Sequence, residues 1–166
     1  ESPKYKFYQW DVDHMDGPQS WIPSVIELAQ PMSSDKDAQN LLKRLEAIPQ
    51  YYLNQIRNLR EGLVANRVSA RYPAEKTIRQ LEDLLKTPVD QTPYIIAGKK
   101  LPEPLRKVYL PQITQYVQDK VYKGYGEYLE FLREEYLAKT RTEKIGLSAL
   151  PGGQEAYQFK IRHHTT

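Results

Sequence analysis

An all-α fold is the expectation from the sequence: antiparallel helices packed with one long kinked helix. Three observations carry it. Apolar residues recur at intervals of three and four along most of the chain, and no convincing alternation at two marks a strand. The 12 prolines punctuate the sequence, marking helix starts, kinks and loops. The 13 tyrosines, against 3 phenylalanines, imply many half-buried rings whose hydroxyls sit near water or a partner. With 166 residues, 40% apolar and 27% charged, the chain is long enough to bury a core and reads as a single helical domain over residues 1–166.

Taken in order, Tyr5 to Trp10 is aromatic-rich and reads as an extended arm. Asp16-Gly17-Pro18 is a turn signal. A short helix over 19–30, started or interrupted by Pro23, carries the apolar residues Trp21, Val25, Ile26 and Leu28. Ser34 is a good N-cap, and Asp37 completes an S-x-x-D box with it. Ala38, Leu41, Leu42, Leu45 and Ile48 form the stripe of the helix that follows. Pro49 is expected to end that helix and open another, whose stripe is Leu53, Ile56, Leu59, Leu63 and Val64, so the two read as an antiparallel pair.

A further helix begins near Pro73, with Ile78, Leu81, Leu84 and Leu85 apolar and Arg79, Glu82, Asp83 and Lys86 mainly on the other side. Residues 87–104 include Pro88, Pro93, Gly98, Pro102 and Pro104 and read as a loop with room for a short helical turn. From about 104 to 141 runs a long helix with Leu105, Val108, Tyr109, Ile113, Tyr116, Val117, Val121, Tyr125, Tyr128, Leu132 and Tyr136 on one broad face. At ~1.5 Å per residue it spans ~55 Å. Pro111 should bend it without ending it, Gly124 and Gly126 weaken its middle, and Gly146 fits a stop just past it. A Pro-Gly-Gly turn at 151–153 opens a last helix reaching His164.

Several chemistries are excluded or weakened. With no Cys there is no disulfide and no thiolate. A net charge of +3 with interspersed signs argues against a nucleic-acid binder, and no run approaches the ~18 apolar residues of a membrane helix. No His is followed by Glu, so an H-E-x-x-H zinc helix is absent. His163 and His164 are adjacent, so on a helix they point ~100° apart and cannot both face one metal. A G-x-S-x-G elbow is absent, Gly152-Gly153 lacks the Lys-Ser/Thr of a phosphate loop, and Glu134 and Glu135 read as solvated charges. No catalytic residue and no metal ligand is assigned. Tyr116, Tyr122, Tyr125, Tyr128 and Tyr136 would suit a stacking platform, but their spacing favours a packed helix face. The apolar residues of the long helix nevertheless spread beyond a ~100° stripe, which predicts an uncovered apolar surface including Tyr122, Tyr125, Leu129, Tyr136 and Phe159.

Several blocks occur in a familiar order: Asp16-Gly17-Pro18-Gln19-Ser20-Trp21, Ile48-Pro49-Gln50-Tyr51, Glu61-Gly62, Tyr128-Leu129-Glu130-Phe131-Leu132 and Glu135-Tyr136-Leu137. The most specific is Gly146-Leu147-Ser148-Ala149-Leu150-Pro151-Gly152-Gly153, followed by Tyr157 and His164-Thr165-Thr166. Together they resemble the N-terminal part of the bacterial family called domain of unknown function 885. The resemblance implies a longer, mostly helical parent similar to gluzincin-type zinc metallopeptidases, with its His-Glu zinc motif downstream of this block. The chain is then the N-terminal, non-catalytic fragment of a larger helical protein, forming one wall of a substrate cleft. Cleft-lining candidates are Tyr157, His163, His164 and Thr165, with Asp16 and Gln19 more distant. The segment itself holds no cofactor, and zinc belongs to the full-length parent. The implied partners are the C-terminal remainder of the same protein and a peptide substrate, in the periplasm or on a cell-surface lipoprotein. The rival reading is a free-standing all-α interaction module without enzymatic activity.

Overall fold

Seven α-helices and the turns between them account for residues 4–165, which the computed structural model describes; Glu1 to Pro3 and Thr166, the last residue of the terminal motif, lie outside the described residues. No strand forms among the described residues, where an isolated parallel bridge joins Ala70 and Arg141. The N-terminal arm is not extended. Lys6 takes a left-handed conformation (φ 46°), and Phe7–Gln9 makes a 3-10 turn that buries Phe7.

Helix α1, Pro18–Ala29, starts on Pro18, whose missing N–H would be unpaired at that position anyway. It continues through Pro23 and buries Pro18, Gln19, Ile22, Pro23 and Ile26. Trp21, Val25 and Leu28 face outward, so α1 is apolar on two sides.

Helix α2, Asp35–Val64, opens with the expected capping box: the Asp37 N–H donates to Ser34 Oγ at 3.2 Å, and Asp37 Oδ2 accepts the Ser34 N–H at 3.0 Å. The Asp37 carboxyl is held below its ordinary pKa foremost by the Ser34 hydroxyl, which also donates to Asp37 Oδ2 at 2.8 Å, and then by the Ser33 N–H. The antiparallel pair expected from Pro49 is corrected here, because α2 is one helix with Pro49 inside it. Its buried stripe runs through Ala38, Leu41, Leu45, Ile48, Tyr52, Ile56 and Leu59 without losing register at the proline. A break at Pro49 would scatter Tyr52, Ile56 and Leu59 from that line. Burying a large apolar side chain contributes ~1.5–3 kcal/mol, so the lower half of the stripe outweighs the ~3 kcal/mol of an interior proline.

Helix α3, Arg71–Lys86, buries Ala74, Thr77, Ile78 and Leu81. The stretch read as a loop holds a 3-10 turn, Val89–Gln91, and the short helix α4, Pro93–Gly98, which buries Tyr94 and Ile95. Then comes a rod of continuous helical backbone from 103 to 139: α5 (Glu103–Tyr116), a π turn (Val117–Val121), α6 (Tyr122–Phe131), a second π turn (Leu132–Tyr136) and a 3-10 end (Leu137–Lys139). It passes through Pro111 unbroken. It stops at Thr140, before the expected stop at Gly146, and the Thr140 hydroxyl donates to Leu137 O at 2.6 Å.

The rod packs along α2, and Gly124 sits at the contact. A methyl group there would lie 3.0 Å from Tyr52 Cδ2 and 3.4 Å from the Pro49 Cα, so the missing side chain permits this close approach. Tyr125, Tyr128 and Tyr136 are fully buried beside Tyr52 and Tyr94, so the core reading of the tyrosine run holds. The uncovered apolar face expected on the rod is overturned for Tyr125, Leu129 and Tyr136, which the chain's own core covers; Tyr122 and Phe159 are half-buried. Four rod hydroxyls each reach a different element. Tyr109 donates to Asp35 Oδ1 at 2.5 Å and Tyr122 to Thr87 O at 2.7 Å, Tyr125 meets Tyr94, and Tyr136 accepts the Ser69 N–H at 2.9 Å. A phenylalanine could fill these places but could not make these bonds, which accounts for part of the tyrosine excess.

Candidate functional site

The loop after the rod is organised by Arg141. Its Nε donates to Val68 O at 2.8 Å, and its two terminal nitrogens donate to Lys144 O, Ile145 O and Gly146 O at 2.5 to 3.1 Å. Beyond it a 3-10 turn, Leu147–Ala149, leads into helix α7, Gly153–Thr165. The Pro-Gly-Gly motif has a separate task for each glycine. Gly152 adopts φ 71°, which side chains rarely tolerate, and a methyl group on Gly153 would lie 1.9 Å from Leu147 O.

Only Gly153 and Ala156 of α7 are buried. Beyond them the helix rests on the N-terminal arm. The Phe159 ring lies 5.1 Å from Tyr5 and 6.3 Å from Phe7, and Lys160 Nζ stands 4.7 Å above the Phe7 ring. Lys4 donates to Glu155 at 3.0 Å, which raises the Lys4 pKa, and both groups are well exposed. Arm and helix enclose a recess of about 370 Å³ lined by Phe7, Trp10, Asp11, Leu147, Tyr157 and Lys160. Arg67, in the connection just after α2, stacks 5.4 Å over Trp10 and donates to Gln9 Oε1 at 3.2 Å.

The candidates fall into two groups. Tyr157 is half exposed and lines the recess. His163 stacks parallel on Phe159 at 5.9 Å and meets the His164 ring edge-on at 5.0 Å; both imidazoles are exposed. Thr165 bonds back to Ile161 O of its own helix at 2.7 Å. Arg162, His163 and His164 occupy the last turn, where positive charge complements the helix dipole. Asp16 and Gln19 lie elsewhere, at the start of α1. Asp16 is exposed, whereas Gln19 is buried and donates to Asp13 O at 2.8 Å and Gln80 Oε1 at 3.0 Å. Gln80 in turn donates to His14 O at 2.8 Å. Gln19 therefore ties α1 to α3 and the preceding loop, a bonding role that its side chain fills completely on the donor side.

Phe7, Trp10, Lys160 and Arg141 were not singled out by sequence reasoning. The signal available for the first two was the aromatic density of the arm, which says nothing of a partner some 150 residues away. Among the described residues, no three His, Asp or Glu side chains converge in a way that would hold a metal ion. The described residues therefore do not fit a zinc site. What the recess offers is aromatic surface flanked by a lysine and a carboxylate, a surface suited to contacting an extended, mixed-polarity chain. No described helix is long and apolar enough to cross a membrane.

Residues 2–166 match the family described as "Bacterial protein of unknown function (DUF885)", and the chain belongs to that family. Among curated proteins, none matches the sequence. The fold is similar to a crystal structure described as that of "the putative lipoprotein from Colwellia psychrerythraea", with a TM-score of 0.83 and 22% identity. That similarity covers 92% of this chain and 27% of the other, so the chain spans about a quarter of that protein's length.

Proposed function

We propose that this DUF885 chain is the non-catalytic, N-terminal helical portion of a longer zinc-metallopeptidase-like protein and forms one wall of its substrate cleft. The observation that carries the reading is the proportion just given: nearly all of this fold recurs in a solved chain, of which it makes up 27%. The α7 recess supports it, because Tyr157 and Trp10 offer ring surface to a peptide while Lys160 and Asp11 flank it with opposite charges. The reaction chemistry, including zinc, would come from the remainder of the parent. A cell-envelope location, as the wording attached to the Colwellia structure suggests, is part of the proposal.

The test compares this chain with the longer gene product on a panel of peptides with added zinc. The chain alone should be silent, and the longer protein should turn peptides over. Tyr157→Ala and Lys160→Ala in the longer protein should raise KM several-fold with zinc content and kcat unchanged. A zinc-loaded longer protein without turnover, or variants with unaltered KM, would overturn the reading.

One observation favours the rival, a free-standing interaction module: Tyr125, Tyr128 and Tyr136 of the rod are covered by this chain's own core. A stop codon directly after Thr166 in the gene would decide for it.

A further inference from the structure

Helix α1 presents apolar side chains to solvent as well as to the core. Trp21 is 43% exposed and Val25 48%, one turn apart, and across from them on α2 Tyr51 is 38% exposed with its ring edge-on to Trp21 at 6.0 Å. With Ile22, Ile26 and Ile48 they line an open groove of about 420 Å³ between the two helices. Its volume and aliphatic–aromatic walls are those of small-molecule sites, which typically run ~300–1,000 Å³ with a few polar groups fixing orientation.

The lining carries one charge, Arg44. Its guanidinium is held in place. Gln30 is buried, and its Nε2 donates to Pro31 O at 2.9 Å and Asp37 O at 3.5 Å, which leaves Oε1 to accept from Arg44 Nη1. Among the described residues, no carboxylate forms an ion pair with Arg44. A planar fork fixed by a buried amide at the side of an apolar groove is pre-organised for a bidentate anion.

We propose that this groove binds a small amphipathic carboxylate, whose alkyl or aryl body lies between Trp21, Val25 and Tyr51 and whose anionic head pairs with Arg44. A purely apolar occupant would cover Arg44 without supplying an anion, which desolvates the charge uncompensated. A polyanion would find one cation and otherwise apolar walls. The site lies on α1 and α2, apart from the elements that form the α7 recess, and does not depend on the peptidase reading.

The probe is sodium decanoate below its micellar concentration, compared with decanol and decylammonium. Binding is read by calorimetry and by the fluorescence of Trp21 in a Trp10→Phe background. Decanoate should bind one to one, shift the Trp21 emission, and bind at least ~10-fold more tightly than decanol, as a charge-assisted hydrogen bond of ~1.5–3 kcal/mol requires. Decylammonium should be the weakest. Arg44→Gln should bring decanoate to the level of decanol and leave decanol unchanged. Val25→Glu, on the exposed wall away from the Gln30 contact, should remove decanoate binding with the helical spectrum intact. Equal affinity for decanoate and decanol, a decanoate preference that survives Arg44→Gln, or no change at Trp21 would each overturn the proposal.

Discussion

The hydroxyl oxygens of Tyr94 on α4 and Tyr125 on α6 lie 2.6 Å apart, with both side chains fully buried. Each hydroxyl bonds to the other, so the pair is satisfied only as a pair. Tyr94→Phe or Tyr125→Phe alone leaves one buried hydroxyl without a bond and should cost about 1–2 kcal/mol. The double variant removes both groups and should be no less stable than either single, with a coupling energy of about 1–2 kcal/mol in denaturant titrations. Strictly additive losses would show that the two hydroxyls do not depend on each other.

Alkaline pH should unfold this protein through the same core. Burial pushes the phenol pKa values of Tyr52, Tyr94, Tyr125 and Tyr128 above the ordinary value near ~10. The folded state thus holds these protons more tightly than the unfolded chain. Their contribution is complete below about pH 10 and declines as pH rises from there toward the folded pKa values. Phenolate absorbance should therefore appear in two stages, the exposed tyrosines first and the buried ones together with loss of helical signal. If every tyrosine titrates while the helices remain intact, the core assignment fails.

What was legible in the sequence was local. Ser34 and Asp37 sit three apart and bond as that spacing predicts, and Gly152-Gly153 makes the turn that Pro-Gly-Gly announces. Pro49 was misread because its local preference to break a helix is visible in sequence, while the stripe joining Ile48 to Tyr52 against Gly124 is tertiary. Helix α4 is too short to show a period, and α1 shows two apolar faces, of which Trp21, Val25 and Leu28 belong to the outer one. Of the candidates, Tyr157 lies at the α7 recess and His163 stacks on Phe159, whereas Gln19 sits at the start of α1, bonded to Gln80 across 61 positions, a distance that no local pattern reveals. The Arg141 bond to Val68 spans 73 and left no trace in sequence either.

Pro49→Ala should stabilise the protein. Alanine restores an N–H that can donate to Leu45 O and relieves the proline ring against that carbonyl. The intrinsic gain of ~3 kcal/mol is reduced by the greater freedom of the unfolded chain, ~0.4–1 kcal/mol, and by lost contact at a half-buried position. A net gain of about 1–2 kcal/mol should appear as a higher Tm. A lower Tm would mean that the ring packs in α2 to better effect than a helical hydrogen bond.

Arg141→Leu should loosen the passage from the rod to α7. The side chain donates to four backbone carbonyls, and its burial lowers the guanidinium pKa from its ordinary value. Its backbone also bridges to Ser69 and Arg71, while Tyr136 fixes the Ser69 N–H, so one side chain and one ring together hold the α2–α3 connection to the end of the rod. Bonds to a charged donor contribute ~1.5–3 kcal/mol each when buried, but the loop carbonyls regain water once released. The expected net loss is about 2–3 kcal/mol in global stability. Arg141→Lys keeps the charge but replaces the planar fork with a point donor and should recover less than half of it. The local effect should be larger than the global one. Glu143 lies in the loop that the guanidinium organises, so a glutamate-specific protease should cut there much faster in Arg141→Leu than in the parent, with the helices outside the loop still protected. An unchanged cleavage rate at Glu143, together with an unchanged Tm, would show that the loop holds its shape without Arg141.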